Sequence, residues 1–223
     1  MSTTVLGLDP SLTGTGLAVV RDGVPVALKS IGWGCHEGIS YEDRSLRILA
    51  VKKAVLTWID HYGTDTDLVA VEGEIPGGKV TGHYFDRAGL WHHLYPALRR
   101  RKMPVIVVNP RTRPKWATGN GGADKKTVQA AVQKWYPRTG IDDHNVADAI
   151  VLALMGSVRL EMPVPTMVRA RIEDMKKTHQ PTRKDGRTVC TSHSPHARWP
   201  CSSAAYAYTP TELQRLEAAA WPK

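Results

Sequence analysis

The sequence predicts an α/β fold: a mixed five-stranded sheet flanked by helices, followed by a flexible basic C-terminal extension. Three observations predict it. Over the first 160 residues, short apolar runs alternate with helical periodicity in the order β-β-β-α-β-α-β-α-α, the pattern of a layered domain. Hydrophobic residues make up 42% of the 223-residue chain, enough to bury a core. Beyond Glu161 aliphatic residues become sparse, so residues 1–160 read as the folded domain. Residues 161–223 read as a largely disordered extension.

Thr4–Asp9 is a short apolar strand ending in an acid, and Gly16–Val20 is a second strand. Arg21-Asp22-Gly23 is a hairpin turn, since Asp-Gly readily takes the positive backbone angles required, and Val24–Gly34 is the third strand. Helical spacing of Leu46, Leu49, Ala50 and Ala54 predicts a helix over Tyr41–Tyr62, stopped by Gly63. Asp67–Glu74 is a buried strand, His83–Lys102 a helix and Val105–Asn109 another apolar strand. A glycine-rich loop, Thr118–Gly122, leads to a helix over Asp124–Tyr136 with Asp124 as its N-cap. A last helix runs over His144–Arg159. In the extension, Met162-Pro163-Val164-Pro165 reads as a linker, and only Thr211–Ala220 has helical character.

No apolar run approaches the ~20 residues of a bilayer-spanning helix, so no membrane partner is expected. Met1-Ser2-Thr3-Thr4 leads straight into Val5–Leu8 without the pattern of a secretory leader, and three cysteines cannot build a disulfide scaffold. A reducing cytoplasm is therefore the expected compartment. The formal net charge is +9, and Leu98–Lys126 contributes +8 of it through nine basic residues against Asp124 alone. Such a field favours a polyanion, most simply nucleic acid.

Chemistry-bearing groups fall where a sheet-based site would need them. Asp9 ends the first strand, and Glu72 interrupts the apolar run Val69-Ala70-Val71. Asp148 lies near the start of the last helix, with His144 four residues before it on the same face and Asn145 three before it. A carboxylate within an apolar strand is costly unless paired or bound to a cation. If Asp9, Glu72 and Asp148 converge, hard oxygen ligands favour Mg²⁺, with Mn²⁺ as substitute. Two such ions ~4 Å apart would suit phosphodiester hydrolysis.

Leu6-Gly7-Leu8-Asp9-Pro10-Ser11-Leu12-Thr13-Gly14-Thr15-Gly16 resembles the opening of RuvC-like Holliday-junction resolvases, which have the RNase H-like fold. Val69-Ala70-Val71-Glu72 resembles their second acidic strand, and Asn145-Val146-Ala147-Asp148-Ala149 their last catalytic helix. Phe85–Trp91 and Thr118–Lys125 resemble stretches of the phage-encoded branch. The resemblance covers about residues 4–160, in order. It implies a nuclease domain over residues 1–160 that cuts four-way junctions or other branched DNA as a Mg²⁺-dependent homodimer. Asp9, Glu72 and Asp148 would be its metal ligands, and Lys125 a basic group beside the scissile phosphate. The fourth ligand position, occupied in the family by an acid or histidine three residues before the last Asp, here holds Asn145; His144 is the expected ligand in its place. A phage origin would place the protein in a host-cell cytoplasm.

Arg111, Arg113, Lys115, Lys125 and Lys126 are the expected DNA contacts. Trp116 is either a core residue or a platform for an unpaired base. The helix bearing Phe85, Leu90, Trp91, Leu94, Tyr95 and Leu98 is either a dimer surface or core packing. In the extension, Cys190, His193, His196 and Cys201 are zinc-capable, yet their spacing fits no finger pattern, and a basic DNA-contacting tail is the stronger expectation. Two other classes remain: a non-catalytic branched-DNA-binding protein, and an actin-like ATP-dependent kinase suggested by Asp-x-Ser-x-Thr-Gly after the first strand.

Overall fold

The computed structural model describes residues 2–74, 82–184, 187–192 and 198–220. Strands β1 (Thr4–Asp9), β2 (Thr15–Arg21), β3 (Val24–Ile31), β4 (Leu68–Glu72) and β5 (Val105–Val108) form one sheet in the order β3-β2-β1-β4-β5. The first three pair antiparallel, and β4 and β5 join parallel beside β1, giving the expected mixed sheet. Helices α1 (Tyr41–Tyr62) and α2 (Gly82–Arg100) cover one face. On the other face lie α3 (Thr112–Thr118), α4 (Lys125–Trp135) and α5 (His144–Arg159).

Strand alternation divides the core in two. Leu6 and Leu8 of β1 and Val69 and Val71 of β4 point toward α1 and α2, where they meet Val55, Ile59, Leu90 and Leu94. Val5, Leu68 and Ala70 point toward α5. Asp9 and Glu72 have the same parity as Val5 and Ala70, so both acids end their strands on the α5 face. Leu90, Leu94 and Leu98 of α2 are essentially inaccessible. Leu90, Leu94 and Leu98 therefore pack the core, whereas Trp91 and Tyr95 are partly exposed and Phe85 is 64% exposed.

Helix α5 is buried continuously from Val146 to Val158. It can lie this close to the sheet because two strand positions lack a side chain. A Cβ on Gly7 would sit 1.9 Å from the Ala149 carbonyl oxygen, and one on Gly16 would sit 1.9 Å from that of Asn145. These glycines let the helix settle on β1 and β2 and carry Asp148 down to the strand ends.

After β5, Thr112–Thr118 forms α3, closed by Gly119 at φ +90°, with Trp116 buried as a core residue. Pro114 fits in its first turn, where an amide donor is not needed. The expectation of a largely disordered extension over residues 161–223 is corrected for its described part, which is folded. Helix α6 (Thr166–Thr178), the hairpin β6 (Pro181–Lys184) and β7 (Arg187–Cys190), α7 (Ala204–Ala207) and α8 (Pro210–Ala220) build it. Val168, Ile172 and Met175, spaced on one helix face, join the core around α5 together with Trp199, Ala204, Tyr208 and Leu213. A segment too apolar-poor to fold alone is ordered by lending its few hydrophobes to an existing core.

Candidate active site

The parallel register sets Leu8 against Val71, so the next residues, Asp9 and Glu72, emerge side by side at the ends of β1 and β4. Asp148 descends onto them from the second turn of α5. Its helix begins at Asp143, whose side chain caps it by accepting from the Asn145 amide at 2.7 Å. All three carboxylates are buried, at 7, 4 and 0% exposure for Asp9, Glu72 and Asp148. They line a cleft of about 290 Å³ with Ser11, Arg87, Arg111, Arg113, Lys125 and Asn145.

Arg113 lies among these acids. Its Nε donates to Glu72 Oε2 at 2.5 Å and its Nη1 donates to Asp148 Oδ1. Only 12% of its side chain is exposed. Expected as a DNA contact flanking the acidic site, Arg113 is turned inward by α3 to the point where three buried negative charges need a cation. Arg87 Nη2 approaches Glu72 Oε1 from the open side at 3.6 Å.

Burial and the neighbouring Asp9 carboxylate push Glu72 up to about 7. Burial likewise raises Asp148 to about 7, against the pull of Arg113. Asp9 is also raised by burial, an effect opposed by Arg113, Arg87, Lys125 and His144. One guanidinium does not compensate three desolvated acids.

The oxygen-only donor set and one orphaned atom bear on cation binding. Asp148 Oδ2 is buried without a hydrogen-bond partner. A hard divalent ion would satisfy it, so the residues fit such an ion. The acids do not yet form a closed ligand shell: among the described residues, the three-residue group with all donor atoms within 4.8 Å is His179, Cys190 and Cys201, elsewhere in the fold. The Arg113 guanidinium occupies the space between the carboxylates.

The remaining predicted residues divide by position. Lys125, first in α4, stands exposed at the cleft rim with Nζ 3.5 Å from Asn145 Oδ1. Asn145 lines the cleft, whereas His144 is partly exposed just outside the lining and reaches Asp9 only through its field. Arg111 and Lys115 border an adjoining groove of about 590 Å³ with Asn109, Gly121 and Ser202. Lys126 is exposed but lines neither cavity. Sequence reasoning missed Arg87, whose acid partner Glu72 lies on a different element, and the inward turn of Arg113, which depends on α3.

Residues 5–156 match the family model of crossover junction endodeoxyribonuclease RuvC. The RuvC of Corynebacterium glutamicum is 27% identical over 218 residues, covering 96% of both chains. That of Thermobifida fusca is 30% identical over 160 residues, 67% of this chain and 81% of its own. Among solved structures, Thermus thermophilus RuvC superposes with a TM-score of 0.52 at 18% identity, covering 74% of this chain and 99% of its own, and so shares the fold. These relatives are bacterial, which does not bear out a phage-encoded branch. No helix among the described residues is long and apolar enough to cross a membrane.

Proposed function

Because this chain belongs to the RuvC family of crossover junction endodeoxyribonucleases, we propose that it cuts Holliday junctions by metal-assisted phosphodiester hydrolysis. The observation that carries this reading is the convergence of three buried carboxylates, one with an unpaired oxygen, in a cleft rimmed by arginine and lysine.

Asp9, Glu72 and Asp148 would hold Mg²⁺, or Mn²⁺ in its place, with two ions per site as the working assignment. Bound there, the cations would lower the pKa of a water nucleophile and offset charge on the leaving oxygen. Asn145, rather than His144, is the better placed fourth group, since its side chain lines the cleft. Lys125 Nζ stands where it can hold a phosphate oxygen against the carboxylates, and Arg87 reaches the same space from α2. Arg111 and Lys115 extend the positive surface along the adjoining groove, where they would track a DNA backbone. We assign the protein as a homodimer in the cytoplasm, so that paired sites nick symmetry-related strands. An actin-like kinase would require a second lobe, and the described residues build one such sheet.

The test is incubation of the full chain with an end-labelled four-way junction and Mg²⁺, beside a linear duplex of equal length. Paired nicks near the branch point, absent on the duplex, support the proposal. Tight junction binding without cutting would favour the non-catalytic reading.

Two further outcomes follow from the electrostatics. Replacing Arg111 and Lys115 together by alanine should weaken junction binding and make the slope of log K against log salt shallower by about 2, because two fewer phosphates release counterions. Titrations at several salt concentrations measure it, and an unchanged slope removes the groove from the DNA path. The pH dependence has a defined sign. Glu72 and Asp148 titrate near 7 in the metal-free protein, well above an unfolded carboxylate at about 4. Between those values the folded chain holds more protons, so stability in EDTA should fall as pH rises from about 4 to 7 and level off above. Cation binding needs the ionised acids, so Mg²⁺ affinity should rise across the same upper range with proton release. Thermal melts at pH 5.5 and 8, with EDTA or Mg²⁺, would show opposite trends.

A further inference from the structure

A second cluster of ligand atoms lies in the C-terminal extension, away from the carboxylate cleft. His179 ends α6, Cys190 ends β7 and Cys201 precedes α7; all three are buried, at 3, 1 and 8% exposure. His179 Nδ1 lies 3.4 Å from Cys190 Sγ and 3.4 Å from Cys201 Sγ. The three donor atoms fall within 4.8 Å of one another.

From this geometry we infer that His179, Cys190 and Cys201 form a structural zinc site. Zn–S bonds of about 2.3 Å and a Zn–N bond of about 2.05 Å at tetrahedral angles put nitrogen and sulfur about 3.5 Å apart, close to both observed separations. Soft thiolates with imidazole select zinc, whereas the oxygen-only cleft selects a harder ion, so the two sites do not compete for one metal. The Ala204 amide donates to Cys201 Sγ at 3.4 Å, and the Ser192 amide also hydrogen-bonds to Cys190, so each sulfur has a backbone donor that orients it. The assignment rests on these three side chains; His193 and His196 lie outside the described residues.

The site has a structural task. Its ligands come from three separate elements of a segment with few hydrophobes, and one ion would tie them together. What they hold is the support of α3. The Tyr206 carbonyl accepts from Trp116 Nε1 at 2.9 Å, Tyr206 Oη donates to the Val107 carbonyl at 3.1 Å, and Arg171 of α6 donates to the Lys115 carbonyl at 3.3 Å. Zinc would thereby brace the helix that points Arg113 into the carboxylate cluster.

Metal analysis of the untagged full chain, purified without chelators, tests this. One zinc per chain is expected, and Co²⁺ exchanged into the site should give thiolate charge-transfer bands with the visible pattern of a tetrahedral ion. H179A, C190S and C201S should each lose stoichiometric zinc, whereas C35S should keep it. Zinc removal from the wild-type chain by a strong chelator should lower its melting temperature with Mg²⁺ present. Because the wild-type measurements come first, a misfolded variant does not decide the matter. Absence of zinc with no tetrahedral cobalt spectrum would overturn the proposal, as would a Cys190–Cys201 disulfide found by mass spectrometry of the freshly isolated chain.

Discussion

Replacing Asp148 by asparagine should leave four-way junction binding nearly unchanged and lower the cleavage rate by about 10³-fold or more. The substitution keeps the shape of a fully buried side chain and removes the charge that a divalent ion would need. Several kcal/mol of charge stabilisation are at stake, and each 1.36 kcal/mol is a factor of ten in rate. Binding should survive because the phosphate contacts proposed above lie on Arg111, Lys115 and Lys125, on other elements. Single-turnover cleavage beside a gel-shift titration separates the two quantities. Equal losses in both would mean that Asp148 supports the shape of the DNA surface rather than the chemistry.

The second large effect concerns Arg113. Converting it to glutamine should destabilise the metal-free protein by about 3–5 kcal/mol, the typical cost of leaving buried charges without their partner. Much of that loss should return when Mg²⁺ is added, because a bound cation takes over the neutralisation of Glu72 and Asp148. Urea denaturation in EDTA and in Mg²⁺ measures both. If the loss is the same in either condition, Arg113 is a permanent structural ion pair and the cation does not enter its space.

The architecture was legible in the sequence because each central element has a strong local pattern. The apolar strands ending in Asp9 and Glu72 and the helix holding Asp148 are unambiguous, and parallel pairing of β1 with β4 then aligns the acids. Residues whose roles depend on tertiary context were not legible. Arg113 reads as one more cation in a basic stretch until α3 aims it inward. Leu90, Leu94 and Leu98 fit a core or an interface equally well until the sheet covers them. The extension was judged by its ability to fold alone, whereas its buried apolar side chains share the core around α5. The Asp185-Gly186 pair between β6 and β7 is a hairpin signal in the sequence, and following it would have brought Cys190 back toward His179.

In the proposed mechanism a cation enters among Asp9, Glu72 and Asp148 and displaces a guanidinium. A crystal of the full chain soaked in Mn²⁺ and measured for anomalous scattering tests this most directly. The predicted result is an anomalous peak in contact with Asp148 Oδ2 and its two carboxylate neighbours, with Arg113 moved away from Glu72. A fully occupied Arg113 bridge with no peak between the acids, at Mn²⁺ concentrations that support cleavage, would contradict it.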